Sequence, residues 1–518
     1  MRIKNSIKNI YISILTQLVI ALLGFFSRKV FIDNLGTQYL GVNGLLTNIL
    51  SMLSLVEGGI GVSIVYNLYK PLANNDKPKI IALVQLYKKI YFFLSIGIFL
   101  LSCGLYPFLG ILIKKDSTIS YIGIVYFIFV IKNMISYLNA HKWSLINADQ
   151  KGYILANYNL IFNVVTTISK IIVLKTTQNY ILYLLIECLI FIIQNVWNGK
   201  IVNKKYSYIK TKEKFSVEKD VKNSIIRNVK ALFLHNIGSY CVFGTDNLLI
   251  GTFININTVG LYSNYTMVIS QLKGILTTML NGIANSVGNL IATESKAKIY
   301  DIFNVVNYIC FFIYGMSVVV LYNLLEDFIT FWLGDGLLLN KLTFYVILIN
   351  FYITGMRNSI SIFKSKGGIF VQDKYVPLIE AVINLVSSII LVRYIGLAGI
   401  FLGTTISNIL IPVWIQSKLV YNNLFEKSVI EYFKKYVLYT VLMSLAVFIS
   451  RYVCNTISLQ NIFISLVVRG IICIIICLIV FITPVLKSKE IQYLYNVLKQ
   501  ELNKYINKSS NKLKSANG

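Results

Sequence analysis

The sequence predicts an all-α polytopic membrane protein of about fourteen transmembrane helices, arranged as two six-helix repeats followed by two further helices. Of the 518 residues, 56% are hydrophobic and only 14% are charged, whereas soluble globular proteins average about 45–50% apolar and about 25% charged residues. The mean hydropathy is +0.68. The apolar residues are grouped in runs close to the ~20 residues that cross hydrocarbon as a helix. Distant segments also match one another at a shared offset, which indicates a duplicated half.

The clearest pair of matching segments surrounds Gly41 and Gly260, which lie 219 positions apart. The first segment reads YLGVNGLLTNI and the second reads TVGLYSNYTMV. Further matched pairs are Phe92 with Phe311, Phe93 with Phe312, Asp116 with Asp335, Gln150 with Gln372, Tyr153 with Tyr375 and Trp197 with Trp414. The shared offset, which drifts by a few residues late in each half, is the evidence for duplication.

The apolar runs predict the boundaries of the individual spans. The first repeat has spans at roughly 9–33, 40–66, 87–110, 119–140, 153–174 and 179–198, with a polar corner at Asp33–Tyr39 between the first two. The second repeat has spans at roughly 230–254, 259–291, 302–325, 341–363, 376–394 and 397–417, and two more follow at about 434–454 and 461–486. The predicted domains are a first half at 1–198, a basic linker at 199–230, a second half at 231–422, two additional helices at 423–486 and a basic amphipathic tail at 487–518.

The net charge of +28 comes mainly from lysines and arginines between the apolar runs. The positive-inside rule explains that distribution, so we expect no nucleic-acid partner. The segment 199–230 holds ten lysines and arginines against three acids, and we expect it to lie in the cytoplasm against anionic lipid. An even number of spans then places both termini in the cytoplasm. The tail has Ile491, Leu494, Leu498 and Leu502 at helical spacing, which predicts a helix on the cytoplasmic surface.

Cysteine and histidine give no sign of a metal site. The seven cysteines lie in or beside apolar runs, where buried thiols act as small hydrophobic side chains. His141 and His235 have no acidic or cysteine neighbours at metal-ligand spacing. We therefore expect neither a metal nor a catalytic residue.

Charged residues inside the predicted spans are the candidates for function. Each costs at least ~2.5 kcal/mol at the bilayer midplane and should face a partner or a wet cavity. The candidate substrate-binding residues are Arg28, Glu57, Lys132, Asp246, Lys273 and Arg357. Lys170, Glu380 and Arg469 lie where a side chain can reach a surface, and we interpret them in that way.

Arg28 and Glu57 are the two candidates in the first predicted helix pair. A guanidinium can bind phosphate oxygens through two parallel hydrogen bonds, which suits Arg28 to a pyrophosphate headgroup; the alternative is an anchor at the outer interface. Glu57 precedes Gly58, Gly59 and Gly61, which loosen the helix. Its carboxylate could pair with a cation, coordinate Na⁺ or carry a proton, and the alternative is a structural ion pair with a lysine such as Lys132 or Lys273.

Three further candidates, Asp246, Lys273 and Arg357, lie in the second repeat. Asp246 is next to Asn247, the counterpart of Arg28, so the two halves differ in charge at this point. That asymmetry would suit a cavity that binds one end of its ligand more strongly than the other. Lys273 and Arg357 are central in the second half, either as cavity cations or as members of structural pairs.

The stretch SRKVFIDNLGTQYLGVNGLLTNILSMLSLVEGGIGVSIVYNLYKPLA, from residue 27, resembles the polysaccharide-transporter (Wzx-type) flippases of the multidrug/oligosaccharidyl-lipid/polysaccharide (MOP) exporter superfamily. The resemblance continues in NDKPKIIALVQLYKKIYFF at 75–93 and DQKGYILANYNLIFNVV at 149–165. FSR at 26–28 and EGG at 57–59 are also similar to positions in the related MurJ-type lipid II flippases. That similarity implies cavity roles for Arg28 and Glu57, although other cavity arginines of that relative have no clear match here.

The resemblance implies a MATE/MurJ-like fold in a bacterial cytoplasmic membrane. It implies a transporter that moves an undecaprenyl-pyrophosphate-linked oligosaccharide between leaflets for a surface polysaccharide such as capsule or an O-antigen-like polymer. Coupling to Na⁺ or H⁺ is also implied, and the sequence does not choose between the ions. Its partners would be that lipid-linked sugar, the phospholipid bilayer and a polysaccharide polymerase or other assembly protein.

Three other functions stay open at this point. A MATE-like multidrug exporter would share the architecture, but the likeness at 28–93 is to the polysaccharide branch. A membrane polymerase or glycosyltransferase would need acid–base groups at an accessible site, and the short external loops and isolated histidines argue against an enzyme. No residue excludes a passive scaffold for polysaccharide assembly.

Overall fold

The computed structural model describes residues 2–57, 60–112, 121–149, 151–219, 221–223, 225–226, 229, 240, 244–369, 372–457, 459–486, 488–496 and 499. Throughout these residues the protein is α-helical, with no strand, which confirms the predicted fold class. Several features predicted from the sequence lie outside the described residues, including Gly58, Gly59 and the tail from position 500 onward. Within the tail, 489–496 is helical.

The chain up to position 253 forms α1 (Arg2–Leu53), α2 (Ile60–Ala73), α3 (Lys77–Leu105), α4 (Leu109–Leu112), α5 (Ile122–Leu138), α6 (Ala140–Ala148), α7 (Tyr153–Thr177), α8 (Tyr180–Lys205) and α9 (Asp246–Phe253). The rest forms α10 (Ile256–Thr293), α11 (Lys296–Leu333), α12 (Lys341–Lys366), α13 (Val376–Ile395), α14 (Leu397–Leu410), α15 (Pro412–Val420), α16 (Ile430–Asn455) and α17 (Ile462–Ile482). From α7 to α17 most of these bounds lie within a few residues of the predicted spans; α9 covers only the last part of the predicted span 230–254.

Helix starts are set by capping side chains. The Asp76 carboxylate accepts a hydrogen bond from the Lys79 amide (3.1 Å) at the start of α3. Asn179, Asn340 and Asn461 do the same for the amide three residues further on, at the starts of α8, α12 and α17. These oxygens satisfy backbone donors that have no partner within the helix.

The first two predicted spans meet at the predicted corner. Within α1, Gly36 has φ 81° and ψ 177°, so the helix is broken there into two segments. That conformation is essentially restricted to glycine, which explains why the corner contains one. The second predicted span, 40–66, is not continuous as expected. Its helix ends at Leu53, a 3₁₀ turn covers Ser54–Glu57, and α2 begins at Ile60.

Nine helices in the described part of the chain are long and apolar enough to cross a membrane. The α5–α6 pair, bent by 46°, would form a tenth. The chain is therefore a multi-pass membrane protein. Fourteen spans stay a prediction, because part of the predicted seventh span lies outside the described residues.

The chain forms two compact units, Met1–Asn264 and Tyr265–Gly518. In the first unit, α1 packs along α7, α3 along α5 and α2 along α6. In the second unit, α11 is the central helix and packs against α12, α16 and α17, while α13 packs along α14. The repeat boundaries predicted at 198 and 231 stay predictions.

Candidate functional site

Arg28 lies in α1 and is held by neutral side chains. Its Nη1 donates hydrogen bonds to Ser263 Oγ (2.8 Å) and to Asn264 Oδ1 (3.4 Å), both in α10. Among the described residues no carboxylate forms an ion pair with it. Among the described residues the guanidinium is therefore positioned by neutral hydrogen-bond acceptors and has no carboxylate partner.

A group of charged side chains in the first unit lies close to the same tyrosine as Arg28. Glu187 in α8 pairs with both Lys132 of α5 and Lys170 of α7. The Lys170 ammonium lies 4.3 Å from the centre of the Tyr183 ring, and the ring of Phe31, three residues after Arg28 in α1, lies 5.2 Å from that of Tyr183. Arg28, Lys132, Lys170 and Glu187, named here the cationic cluster, combine three cations with one carboxylate. The cluster thus has a surplus of positive charge.

These contacts decide two expectations drawn from the sequence. Lys170 does not reach a surface as expected, because it is largely buried and paired with Glu187. Lys132 has Glu187 as its partner, so the alternative in which it pairs with Glu57 is wrong.

Glu57 lies in the 3₁₀ turn that separates α1 from α2. It accepts a hydrogen bond from the Tyr91 hydroxyl (3.0 Å) and another from the Gly61 backbone amide. No ion pair to Glu57 occurs within the described residues. A carboxylate at a helix break, with neutral donors alone, can exchange a proton or accept a cation.

Asp246 is in the first turn of α9, where a helix N-terminus favours negative charge. The hydroxyl of Tyr262 donates a hydrogen bond to its Oδ2 (3.4 Å). Tyr262 directly precedes the two residues that hold Arg28, so three consecutive positions of α10 contact both Asp246 and Arg28. The two charged candidates are thus positioned by one helical turn.

A close backbone approach brings α1 to this turn of α10. A Cβ atom on Gly41 would lie 2.0 Å from the Ile256 carbonyl oxygen, so only glycine fits. The Thr37 hydroxyl also donates a hydrogen bond to the Asn257 side chain. Both contacts fix the register between α1 and α10 on which the Arg28 hydrogen bonds depend.

In the second unit, Arg357 of α12 pairs with Glu380 of α13 (3.2 Å) and donates a hydrogen bond to Asn408 of α14 (2.6 Å). Glu380 is buried, so the expectation that it reaches a surface is wrong. Lys273 is exposed on α10 and experiences the charge of Arg357. Arg357 therefore belongs to a structural pair, and for Lys273 both alternatives, a cavity cation and a member of a structural pair, stay predictions.

The second unit also contains an apolar cavity of about 620 Å³. Six aromatic side chains line it beside aliphatic ones: Tyr322, Tyr345, Tyr352, Trp414, Phe433 and Tyr436. Trp414 is 52% exposed, and the centre of its ring lies 4.2 Å from that of Phe433 with the two planes tilted by 34°. The cavity suits a hydrocarbon chain rather than a charged group.

Sequence reasoning missed the residues that partner the candidates. Ser263, Asn264 and Tyr91 are ordinary polar residues in apolar helices, and nothing in their local sequence marks them. Glu187 is different, because a carboxylate inside a predicted span is itself expected from the sequence to face a partner or a wet cavity.

Comparison with solved structures identifies the fold. The lipid II flippase MurJ, in an inward closed conformation, matches with a TM-score of 0.66 at 16% identity, over 92% of this chain and all 100% of the other. An inward-facing multidrug resistance MATE transporter of the MOP superfamily matches at 0.56 and 13% identity, over 79% of this chain and 98% of its own. The Vibrio cholerae MATE transporter VcmN, solved as a point mutant, matches at 0.56 and 12% identity, over 83% of this chain and 99% of its own.

No protein-family model and no curated protein sequence matches the chain. At identities this low, structural likeness establishes the fold and nothing finer. The chain has the fold of MurJ and the MATE transporters of the MOP superfamily.

Proposed function

We propose that this chain is a flippase that moves an undecaprenyl-pyrophosphate-linked oligosaccharide between the leaflets of a bacterial cytoplasmic membrane. The observation that carries the proposal is the guanidinium of Arg28, held by the neutral side chains of Ser263 and Asn264 in a chain with the MurJ fold. A pyrophosphate offers several anionic oxygens that can accept the parallel N–H hydrogen bonds of a guanidinium. The cationic cluster around Tyr183 favours an anion in the same part of the first unit and disfavours a cationic drug.

The lipid part of this substrate needs an apolar surface. The aromatic cavity between Tyr322 and Tyr436 in the second unit provides one, and its volume of about 620 Å³ suits a segment of a polyprenyl chain. The sugar and pyrophosphate would cross by alternating access of the two repeats. The surface polymer that results, capsule or O-antigen-like, and a polymerase partner stay predictions.

We also propose that Glu57 is the site of cation coupling. Its carboxylate has Tyr91 and the Gly61 amide as donors and lies at a break between helices. Either a proton or Na⁺ could bind to the Glu57 carboxylate and balance its negative charge. The Glu57→Gln variant would then transport at a rate that no longer responds to the gradient of the coupling ion, while substrate binding persists.

The test follows lipid-linked oligosaccharide by leaflet in cells from which this protein has been depleted. Cells are restored with wild type, Arg28→Ala or Arg28→Lys. Arg393→Ala, an exposed arginine in the last turn of α13, is the matched control. Intact intermediate should accumulate on the cytoplasmic face, and wild type and the control should relieve it. Arg28→Lys keeps the positive charge but lacks the two parallel N–H donors of a guanidinium. It should therefore restore transport only partly.

Other outcomes would replace the proposal. Unchanged sidedness together with altered resistance to cationic drugs would identify an exporter. Correctly flipped lipid that carries shortened or missing glycan chains would identify a polymerase. Point variants that assemble normally but do not transport would, by contrast, support the proposal and argue against a passive scaffold.

A further inference from the structure

The segment that follows α8 folds back onto α3. After a 3₁₀ turn at Ser207–Lys210, residues 211–218 have no regular secondary structure. The Gln85 side chain holds them from both sides, since its Nε2 donates to the Glu213 carbonyl (2.6 Å) and its Oε1 accepts from the Phe215 amide (3.3 Å). An ion pair between Lys79 and Glu218 (3.1 Å) adds a third contact. The segment therefore forms a fixed wall beside α3.

Between this wall and α3 lies a cavity of about 750 Å³. Four lysines surround it: Lys88, Lys89, Lys214 and Lys222. Its other lining includes Leu86, Phe92, Phe93, Leu138 and Phe215. The cavity thus combines a cationic end with an apolar end.

In the part of the chain that the structure describes, no carboxylate pairs with any of these four lysines, and Glu218 is already engaged by Lys79. Lys142 and Lys210 add to the repulsion, because Lys142 experiences the charges of both Lys88 and Lys210. Like charges brought together in this way are stabilised by a bound anion.

The apolar end lies about one helical turn further along α3. Phe92 and Phe93 follow Lys88 and Lys89 by four residues, or about 6 Å along a helix axis. Their side chains are 53% and 69% exposed, and Leu138 beside them is 48% exposed. This order, ammonium groups and then bare aromatic rings, matches the order of headgroup and acyl chain in a bilayer leaflet.

We propose that this cavity is a binding site for an anionic phospholipid, with the phosphodiester at Lys88, Lys89 and Lys214 and an acyl chain along Phe92 and Phe93. Basic pockets beside transmembrane helices on the cytoplasmic side recognise such headgroups. The lysine distribution of the chain predicts the cytoplasmic side for this face. The site is separate from the cationic cluster and does not depend on the transported substrate.

The test uses delipidated full-length protein titrated with dioleoyl phosphatidylglycerol or dioleoyl phosphatidylcholine, with bound lipid counted by native mass spectrometry. The triple variant Lys88→Gln/Lys89→Gln/Lys214→Gln should lose about tenfold or more in phosphatidylglycerol affinity. Its matched control is Lys200→Gln/Lys204→Gln/Lys205→Gln, which removes three exposed lysines at the end of α8 and should bind like wild type. Phe92→Ser/Phe93→Ser keeps the charges and should also bind more weakly.

Three results would overturn the proposal. One is an equal loss of affinity in the two triple variants, which would mean diffuse charge rather than a site. Another is equal binding of the anionic and the zwitterionic lipid by wild type. The third is displacement of the lipid by inorganic phosphate together with unchanged binding by the phenylalanine variant, which would indicate a site for a free anion. Thermal unfolding of each variant separates loss of binding from loss of folding.

Discussion

Gly41 and Gly260 lie against each other, and each is the counterpart of the other in the internal repeat. A Cβ atom on Gly41 would lie 2.0 Å from the Ile256 carbonyl oxygen, and one on Gly260 would lie 2.2 Å from the Thr37 carbonyl oxygen. Thr37 and Ile256 are also counterparts at the same offset of 219 residues. The contact is therefore reciprocal.

This contact makes Gly41→Ala a destabilising change. The added methyl group would overlap backbone, which cannot rotate away, and overpacking of this kind costs about 1–3 kcal/mol. Thermal unfolding of the purified protein measures the loss. Gly97→Ala is the control, because Gly97 lies within α3 with no other atom within 4 Å of an added Cβ. Equal melting temperatures for the two variants would contradict the close approach.

The corner in α1 depends on backbone conformation alone. Gly36 has open space around an added Cβ but a φ of 81° and ψ of 177°. Gly36→Ala should therefore cost about 1–3 kcal/mol through strain, without any steric overlap. The melting temperatures of Gly36→Ala and Gly97→Ala are compared. The difference between them separates backbone strain at position 36 from the general effect of replacing glycine by alanine on helix propensity. A melting temperature at or above that of wild type would mean that the corner adopts another conformation.

Glu187 has two lysine partners, so its removal should be more damaging than removal of either lysine. Glu187→Gln leaves Lys132 and Lys170 without a carboxylate, and loss of a hydrogen bond to a charged group costs about 1.5–3 kcal/mol. Lys132→Met still leaves Lys170 and Glu187 paired and should cost less. Denaturation of both single variants and of the Lys132→Met/Lys170→Met/Glu187→Leu triple tests this order. A Glu187→Gln variant as stable as wild type would contradict a stabilising role for the pairing of Glu187 with both lysines.

The helical segment at 489–496 is tied to α16 by a titratable pair. Burial acts to raise the pKa of Glu490, but the hydrogen bond and the charge of Lys435, together with hydrogen bonds from the Glu490 backbone and Ser488, outweigh it, and the pKa is lowered from its ordinary value of 4.5. Because the folded pKa is depressed, the pair contributes stability above about pH 4.5, and that contribution is lost as the pH falls through the folded pKa. Thermal unfolding between neutral and acid pH should show this loss in wild type. Glu490→Gln should lack this component, and an identical pH profile for the two proteins would contradict it.

Much of the fold could be predicted from the sequence because helices in membranes follow local hydropathy. The polar corner at Asp33–Tyr39 coincides with the break at Gly36, since turn residues and glycine mark such a point locally. The 3₁₀ turn at Ser54–Glu57 could not be predicted. It interrupts an apolar run whose composition favours a continuous helix.

The candidate site was predicted only in part, because its contacts join residues far apart in the chain. Arg28 and its partners Ser263 and Asn264 are more than 230 positions apart. The surface positions expected for Lys170 and Glu380 were wrong for a related reason. Whether a long side chain reaches a surface depends on its neighbours, and each of these two has an opposite charge from another helix within reach.

Whether the chain moves a lipid-linked oligosaccharide between leaflets can be measured directly in proteoliposomes. These contain the purified chain and an undecaprenyl-pyrophosphate oligosaccharide labelled on its sugar. The measured quantity is the fraction of label that becomes accessible to a membrane-impermeant reagent after an ion gradient is imposed. If the chain is a flippase, wild type should raise this fraction above that of protein-free vesicles. Arg28→Gln should be slower by about tenfold or more, since hydrogen bonds to charged groups contribute about 1.5–3 kcal/mol. An equal accessible fraction of label in vesicles with wild type and in protein-free vesicles would contradict the proposal that the chain is a flippase.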